Sequence, residues 1–458
     1  MIIDNKDLSN FDKWIIGDSW VNSNIEDLAD KLCIEIGDRW ASSNNERNAA
    51  NYIYDYWALN KLLPHHEEFE IDTWNFKKYS LKVGKNNFDL KPYHRCPSTN
   101  LQAKLIDVGY GTFREISDLN NDLKGTIALM LRKNEPFTDP EPIFRRILNI
   151  YNAGALAIII AEPKPGRRME YSSVWDTRDP QSVHPPLPIV NTSNEHHLVL
   201  KKFSKLNKSA ELRVDSKFYK AKTSNIVTII EGESSNEEII MCGHHDTVFD
   251  TPGGNDNASG AIGVIETAKT INNFFKHFDL KPKISLKFIT LSAEEQRLQG
   301  SFFHVKNNYS NGNKPRFVIN CDELSTGNMK GLVLGFPHLR NFIQEVLDSM
   351  NENFKVHVMS QIDGHSDHFP FIEKAIDACH PWRWRYDSRY ESCEYHHESP
   401  DTFDKVNVKD LKYYISSISR LLIRLSMIEP NKWPKNNISI SEVRKRLDIE
   451  KNYEIRTS

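Results

Sequence analysis

From Ser224 onward the chain alternates between short apolar runs suited to strands and longer runs with apolar residues at helical spacing. Alternation of that kind folds into a central sheet covered on both faces by helices. The strand candidates are residues 225–231, 238–243, 284–292, 316–321, 332–335 and 356–359, and the helical ones are 258–273, 299–309, 339–353 and 408–428. The expected fold class is therefore α/β, with a mixed central sheet flanked by helices. In open sheets of this type the carboxyl ends of the strands carry the ligand site.

The first part of the chain reads differently. Residues 25–36 and 46–62 have helical spacing, and 79–83 alternate with the period of two that marks a half-buried strand. Turn formers then cluster at Pro92, Pro97 and Ser98. Beyond them, strand-like runs at 101–108, 125–131, 155–161 and 187–190 surround one helical stretch, 144–153, with loops at 163–166 and 180–188. The spacing predicts an inserted module over 97–222. It divides the main domain into 1–96 and 223–430, and 431–458 forms a tail with a helix at 444–450 capped at Ser441. No internal repeat or low-complexity tract is present.

Bulk properties exclude several classes of function. With a net charge of -3 over 458 residues, nothing electrostatic argues for a nucleic-acid or membrane surface, and neither partner is expected; no apolar run approaches a bilayer-spanning length. Lys201, Lys202, Lys205 and Lys208 read as a solvated helix face. The segment Met1 to Asp7 lacks the basic and apolar stretches of a secretory signal, so a cytoplasmic location is expected unless the chain is a mature form. The six cysteines form no C-x-x-C pair. Cys242 and Cys321 read as buried thiols, and Cys379 and Cys393 as a reduced pair bracketing one loop.

Chemistry enters just after the strands. His244 lies in Gly243-His244-His245-Asp246, Asp256 in Gly254-Asn255-Asp256-Asn257-Ala258-Ser259-Gly260, and Glu294 and Glu295 follow Ser292-Ala293. Asp322 closes Asn320-Cys321-Asp322, and His397 opens His397-Glu398-Ser399-Pro400-Asp401-Thr402. Each has a bland reading: a satisfied buried histidine, a helix cap, a solvated acidic pair, a strand-end turn, an exposed loop histidine. Together, in this order, they make a coherent set. Histidines and carboxylates are the donors of an open, reactive zinc site. Two histidines and three carboxylates exceed the needs of one catalytic ion and suit two ions sharing a carboxylate. One of the adjacent glutamates then binds metal while the other accepts a proton. Residues two apart on an extended stretch share a face, so Asp246 can support the site behind His244, and His245 should point away from it.

The ordered motifs resemble those of the M28 metallopeptidase family over residues 225–405, and the stretch Ser366-Asp367-His368-Phe369-Pro370-Phe371 matches a further landmark of that family. The resemblance implies two Zn2+ per chain. His244 with Asp322 would hold one ion and Glu295 with His397 the other, with Asp256 bridging, Glu294 as general base and Asp246 orienting His244. It implies hydrolysis of peptide substrates, with an aminopeptidase as the leading reading. The insert resembles a β-rich protease-associated (PA) domain, marked by Gly125 to Leu129 and Ala153 to Ile160. Such an insert can mediate contacts in a homodimer or cover the active site, and the residues do not choose between these.

One departure concerns the position before the last ligand, where some family members carry tyrosine. Here it is His396, with Tyr395 one place further back, and the tyrosine's role is not carried over. The stretch 382–390 offers Arg383, Arg385 and Arg389 among aromatics, a composition able to grip a carboxylate. It favours a carboxypeptidase or dipeptidase as the alternative, against a surface loop packed by its own aromatics. A non-catalytic receptor of similar domain make-up should lack ligands or base, and this chain has all of them.

Overall fold

The computed structural model describes residues 5–119, 122–174, 176–179, 186–310, 312, 314–382 and 395–451. They form two compact units, one containing Ala221–Leu447 and the chain up to Ile71, the other Asp72–Lys220 with residues from Asp448.

The first unit is built on a mixed sheet. Its strands run in the order Lys355–Val358, Gly331–Leu334, Ala378–Trp382, Phe317–Asn320, Ser234–His244, Ile284–Leu291 and the second half of Ser209–Ile230. Four neighbours, Ala378–Trp382 through Ile284–Leu291, are parallel, with antiparallel partners on either side. Parallel strands buried on both faces read as continuous apolar runs, and these residues divide accordingly. Ile239 and Met241 face one core with the helices Gly260–His277, Val408–Ser426 and Asn44–Leu59. Ile240 and Cys242 face the other, with Gln299–Tyr309, Phe369–Glu373 and the terminal helix Ile440–Glu450.

Gly260–His277 is buried along nearly its whole length because it is sandwiched between the sheet and an outer layer. Phe274 meets Phe11 of the first helix, Asn5–Val21, edge to face at 5.0 Å. Lys276 and His277 in its last turn complement the helix dipole. Parallel register levels the strand ends: His244 pairs with Leu291 and Cys242 with Asn320. The residues that follow, Glu294 and Asp322, therefore emerge beside His244.

The second unit also mixes helices and strands. Thr99–Asp107, Ile127–Leu131, Ala157–Ala161 and Ile189–Thr192 lie parallel in that order. Its helices are Phe113–Asp118, Ile143–Asn152 and Asn194–Lys205, the first closed by a capping box of Thr112 and Glu115. Ile147, Ile150, Ile158, Ile160 and Ile189 form its core.

The division falls at 71/72 and 220/221, where spacing had suggested 96/97 and 222/223. The strand His65–Val83 runs through the first division, and the turn cluster at 92–98 lies inside the second unit. The tail is not separate either, since Val443 and Leu447 are buried in the core of the first unit. Among the described residues no helix is long and apolar enough to cross a membrane.

Candidate metal centre

His244, Glu294, Glu295 and Asp322 sit at or just after strand ends. Asp246, fully buried, accepts the backbone N–H groups of Glu294 at 3.2 Å and Glu295 at 3.3 Å. That ties the Glu294–Glu295 turn to the end of the His244 strand. The Asp246 carbonyl lies 3.1 Å from His244 Nδ1 and its carboxylate 3.5 Å away, which leaves Nε2 to face the site. His245 turns away, as strand alternation predicts, and its Nε2 lies 3.1 Å from Glu46 Oε1.

Asp256 occupies the turn Gly254–Ser259, where its peptide to Asn257 is cis. A Cβ on Gly254 would come 2.1 Å from the carbonyl oxygen of Thr402, so only glycine lets this turn approach the His397 loop. Asn257 fastens the turn to the next strand end: its Nδ2 donates to Cys321 O at 3.0 Å, and its Oδ1 accepts from Glu323 N at 3.1 Å. Asp322 is held by Ser366, whose Oγ donates to Oδ2 at 2.7 Å and accepts from Asn320 Nδ2 at 2.7 Å.

The structure thus brings His244, Asp246, Asp256, Glu294, Glu295, Asp322 and His397 together. His244 Nε2 lies 3.3 Å from Asp256 Oδ1, 3.6 Å from Asp322 Oδ1 and 3.9 Å from Glu294 Oε2. His397 Nε2 lies 3.0 Å from Glu295 Oε2 and 3.3 Å from Asp256 Oδ2. Asp256 therefore turns one oxygen to each histidine. Three overlapping groups have donor atoms close enough to hold a metal ion: His244, Glu294 and Asp322; His244, Asp256 and Glu295; and Asp256, His396 and His397.

Electrostatics favour a cation. Burial disfavours the charged imidazole of His244, yet Glu294 and hydrogen bonds to Asp246, Asp256 and Asp322 hold its pKa well above the usual histidine range. His397 is raised in the same way against burial, chiefly by Glu295 and Asp256. Burial also drives the Glu294 carboxyl well above its ordinary value despite His244, with Glu295, Asp367 and Asp322 adding repulsion. A field that binds protons this strongly also attracts metal. The donor set fits zinc in chemistry as well, and Glu295 Oε1 is buried yet accepts no hydrogen bond. Oxygen lone pairs left this way suit an ion.

His396 was not among the expected site residues. Its Nδ1 stands 2.9 Å from Asp256 Oδ2 and 3.3 Å from Oε1 of the buried Glu323. The alternation that separates His244 from His245 does not hold here: His397 has a φ of 56°, and the rings of His396 and His397 stack 3.8 Å apart. The paired histidines were the available signal. Arg383, Arg385, Arg389 and Cys393 lie outside the described residues. Cys242, Cys321 and Cys379 are buried free thiols.

Residues 225–421 match the model of peptidase family M28. The chain is 25% identical over 346 residues to a probable leucine aminopeptidase 2 of Aspergillus oryzae, a match covering 72% of this chain and 66% of that protein. It is 26% identical over 319 residues to Aminopeptidase YwaD of Bacillus subtilis, covering 68% and 64%. The chain thus spans just under two thirds of the length of these curated relatives. Among solved structures, BSAP, a zinc aminopeptidase from Bacillus subtilis, superposes with a TM-score of 0.72 at 20% identity, covering 91% of this chain and 97% of that one. A peptidase M28 precursor from Shewanella amazonensis gives 0.76 at 15% identity, covering 94% and 100%. These likenesses show the fold.

Proposed function

We propose that this chain, whose residues 225–421 belong to peptidase family M28, is a dizinc aminopeptidase that removes N-terminal residues from peptides. The observation that carries the reading is Asp256, with one carboxylate oxygen 3.3 Å from His244 and the other 3.3 Å from His397. His244 and Asp322 would hold one ion, Glu295 and His397 the other, and Asp256 both. Bound zinc supplies Lewis acidity, polarising a carbonyl and making a water acidic near neutral pH.

The remaining work falls to the chain's own groups. Glu294 is 3.9 Å from His244 Nε2 and buried, and it accepts the proton of the attacking water. The same carboxyl then returns that proton to the departing amine as the C–N bond breaks. Asp246 fixes Glu294 through its backbone and keeps the His244 ring in orientation. The choice of aminopeptidase is supported by the names of the relatives, leucine aminopeptidase 2 and Aminopeptidase YwaD.

A panel of peptides blocked at either end, assayed with and without a chelator, tests the reading. Cleavage should require a free amino terminus, survive carboxyl blocking, and disappear with chelator until zinc is restored. Cleavage that persists with a blocked amino terminus, or that ignores the chelator, overturns it.

A further inference from the structure

Residues 37–46 lie outside the stretch matched to the family, yet they grip the chain beside three ligand positions. Arg39 is fully buried, and its guanidinium donates to backbone carbonyls from Nε, Nη1 and Nη2. Nε donates to His245 O at 2.7 Å, the residue after His244. Nη1 donates to Pro252 O at 2.7 Å and Nη2 to Gly253 O at 3.2 Å, at the entry to the Asp256 turn. Leu32 O and Gly37 O, each 2.9 Å from Nη1, share its second N–H and anchor the guanidinium to its own segment. The backbone repeats the link: Arg39 N donates to Thr247 Oγ1 at 2.8 Å, and Thr247 N to Arg39 O at 3.2 Å. Nearby, Gln296 Nε2 donates to Ala41 O at 3.0 Å, and Ser292 Oγ donates to Glu46 Oε1 at 2.9 Å, which brackets Glu294 and Glu295.

We infer that Arg39 is a positioning residue for the metal centre, setting the separation of His244 from Asp256 by clamping the backbone beside each. A planar fork of five donors reaches carbonyls on two separate loops at once, whereas a lysine offers three donors from a single point. Because the acceptors are main-chain atoms, the clamp governs where the ligand side chains start. The inference rests on the metal-centre reading above.

The test compares the full-length protein with Arg39→Lys, which keeps the charge and loses the fork, and Thr247→Val, which removes one hydroxyl acceptor. Zinc affinity is read by chelator competition, site geometry by the visible absorption of the cobalt(II) form, and folding by the melting temperature of the metal-free protein. Arg39→Lys should weaken zinc binding by about tenfold or more, alter the cobalt bands and lower kcat with little change in KM. Thr247→Val should move each readout the same way by a smaller factor, and it decides the matter alone if Arg39→Lys does not fold. Zinc affinity within twofold of wild type and unchanged cobalt bands in the folded variants overturn the clamp. Failure of the wild-type protein to bind zinc overturns the metal-centre reading instead.

Discussion

The backbone N–H of Asp256 donates to Asp401 Oδ2 at 2.9 Å, so one carboxylate aims another. Asp401 also accepts from Asn255 N at 2.8 Å through Oδ1. An asparagine keeps one acceptor and turns an NH2 toward the second N–H, forcing that end of the turn to move. Asp401→Asn is expected to lower metal affinity about 10-fold to 100-fold, measured by chelator competition, with the circular dichroism of the fold unchanged. Affinity equal to wild type removes Asp401 from the support of Asp256.

In the proposed mechanism Glu294 moves a proton, while Glu295 binds metal. Glu294→Gln keeps the shape of the side chain and the two backbone bonds to Asp246 but removes the base. Turnover should fall by about 10²-fold to 10⁴-fold, while the metal content of the purified protein stays at the wild-type level. A variant that retains activity contradicts the assigned role.

Much of the site was legible because each candidate ligand lies within a short motif, and His244, Glu295 and Asp322 sit at or just after the end of an apolar strand. The helix Val408–Ser426 was equally plain from its spacing. The supports were not. Arg39 and Glu46 meet partners about two hundred positions away, and the acceptors of Arg39 are carbonyls, which leave no side-chain pattern. His396 stands where the resemblance looks for a tyrosine, and it is the turn at His397 that brings both rings to the site. The strand Ser209–Ile230 was read only from Asn225, since its earlier, polar half is held by distant pairing of Val214 with Thr99. Helix Asn5–Val21 has weak apolar periodicity, and docking of Phe11 on Phe274 and Phe278 secures it.

Gly260 opens the long buried helix at the point where it passes the Asp322 strand end. A Cβ there would lie 2.2 Å from Cys321 O and 2.3 Å from Asn257 Oδ1, and neither has room to retreat. Asn257 Oδ1 already accepts from Gly260 N at 2.8 Å and Glu323 N at 3.1 Å. Gly260→Ala should destabilise the protein by about 1–3 kcal/mol and weaken metal binding, because the Asp256 turn and Asp322 are pushed apart. Denaturant unfolding of the metal-free protein separates the two effects. A stability equal to wild type would mean the contact relaxes without cost.

Away from the site, Glu67 pairs with the buried His304 at 2.9 Å and accepts hydrogen bonds from Asn225 and Asn308. Burial alone would raise its pKa, but these partners, His304 first, bring it down to about 2. A carboxyl lower in the folded than in the unfolded chain stabilises the fold above the ordinary glutamate range. That contribution is lost as pH falls from about 4.5 toward about 2. Glu67→Gln should therefore cost about 2 kcal/mol at pH 7, with the gap to wild type narrowing steadily below pH 4.5. Urea unfolding of both proteins from pH 7 down to the lowest pH at which both stay folded reads that gap directly. A gap that stays constant across the range would assign the stabilisation to packing around Glu67 and not to its charge.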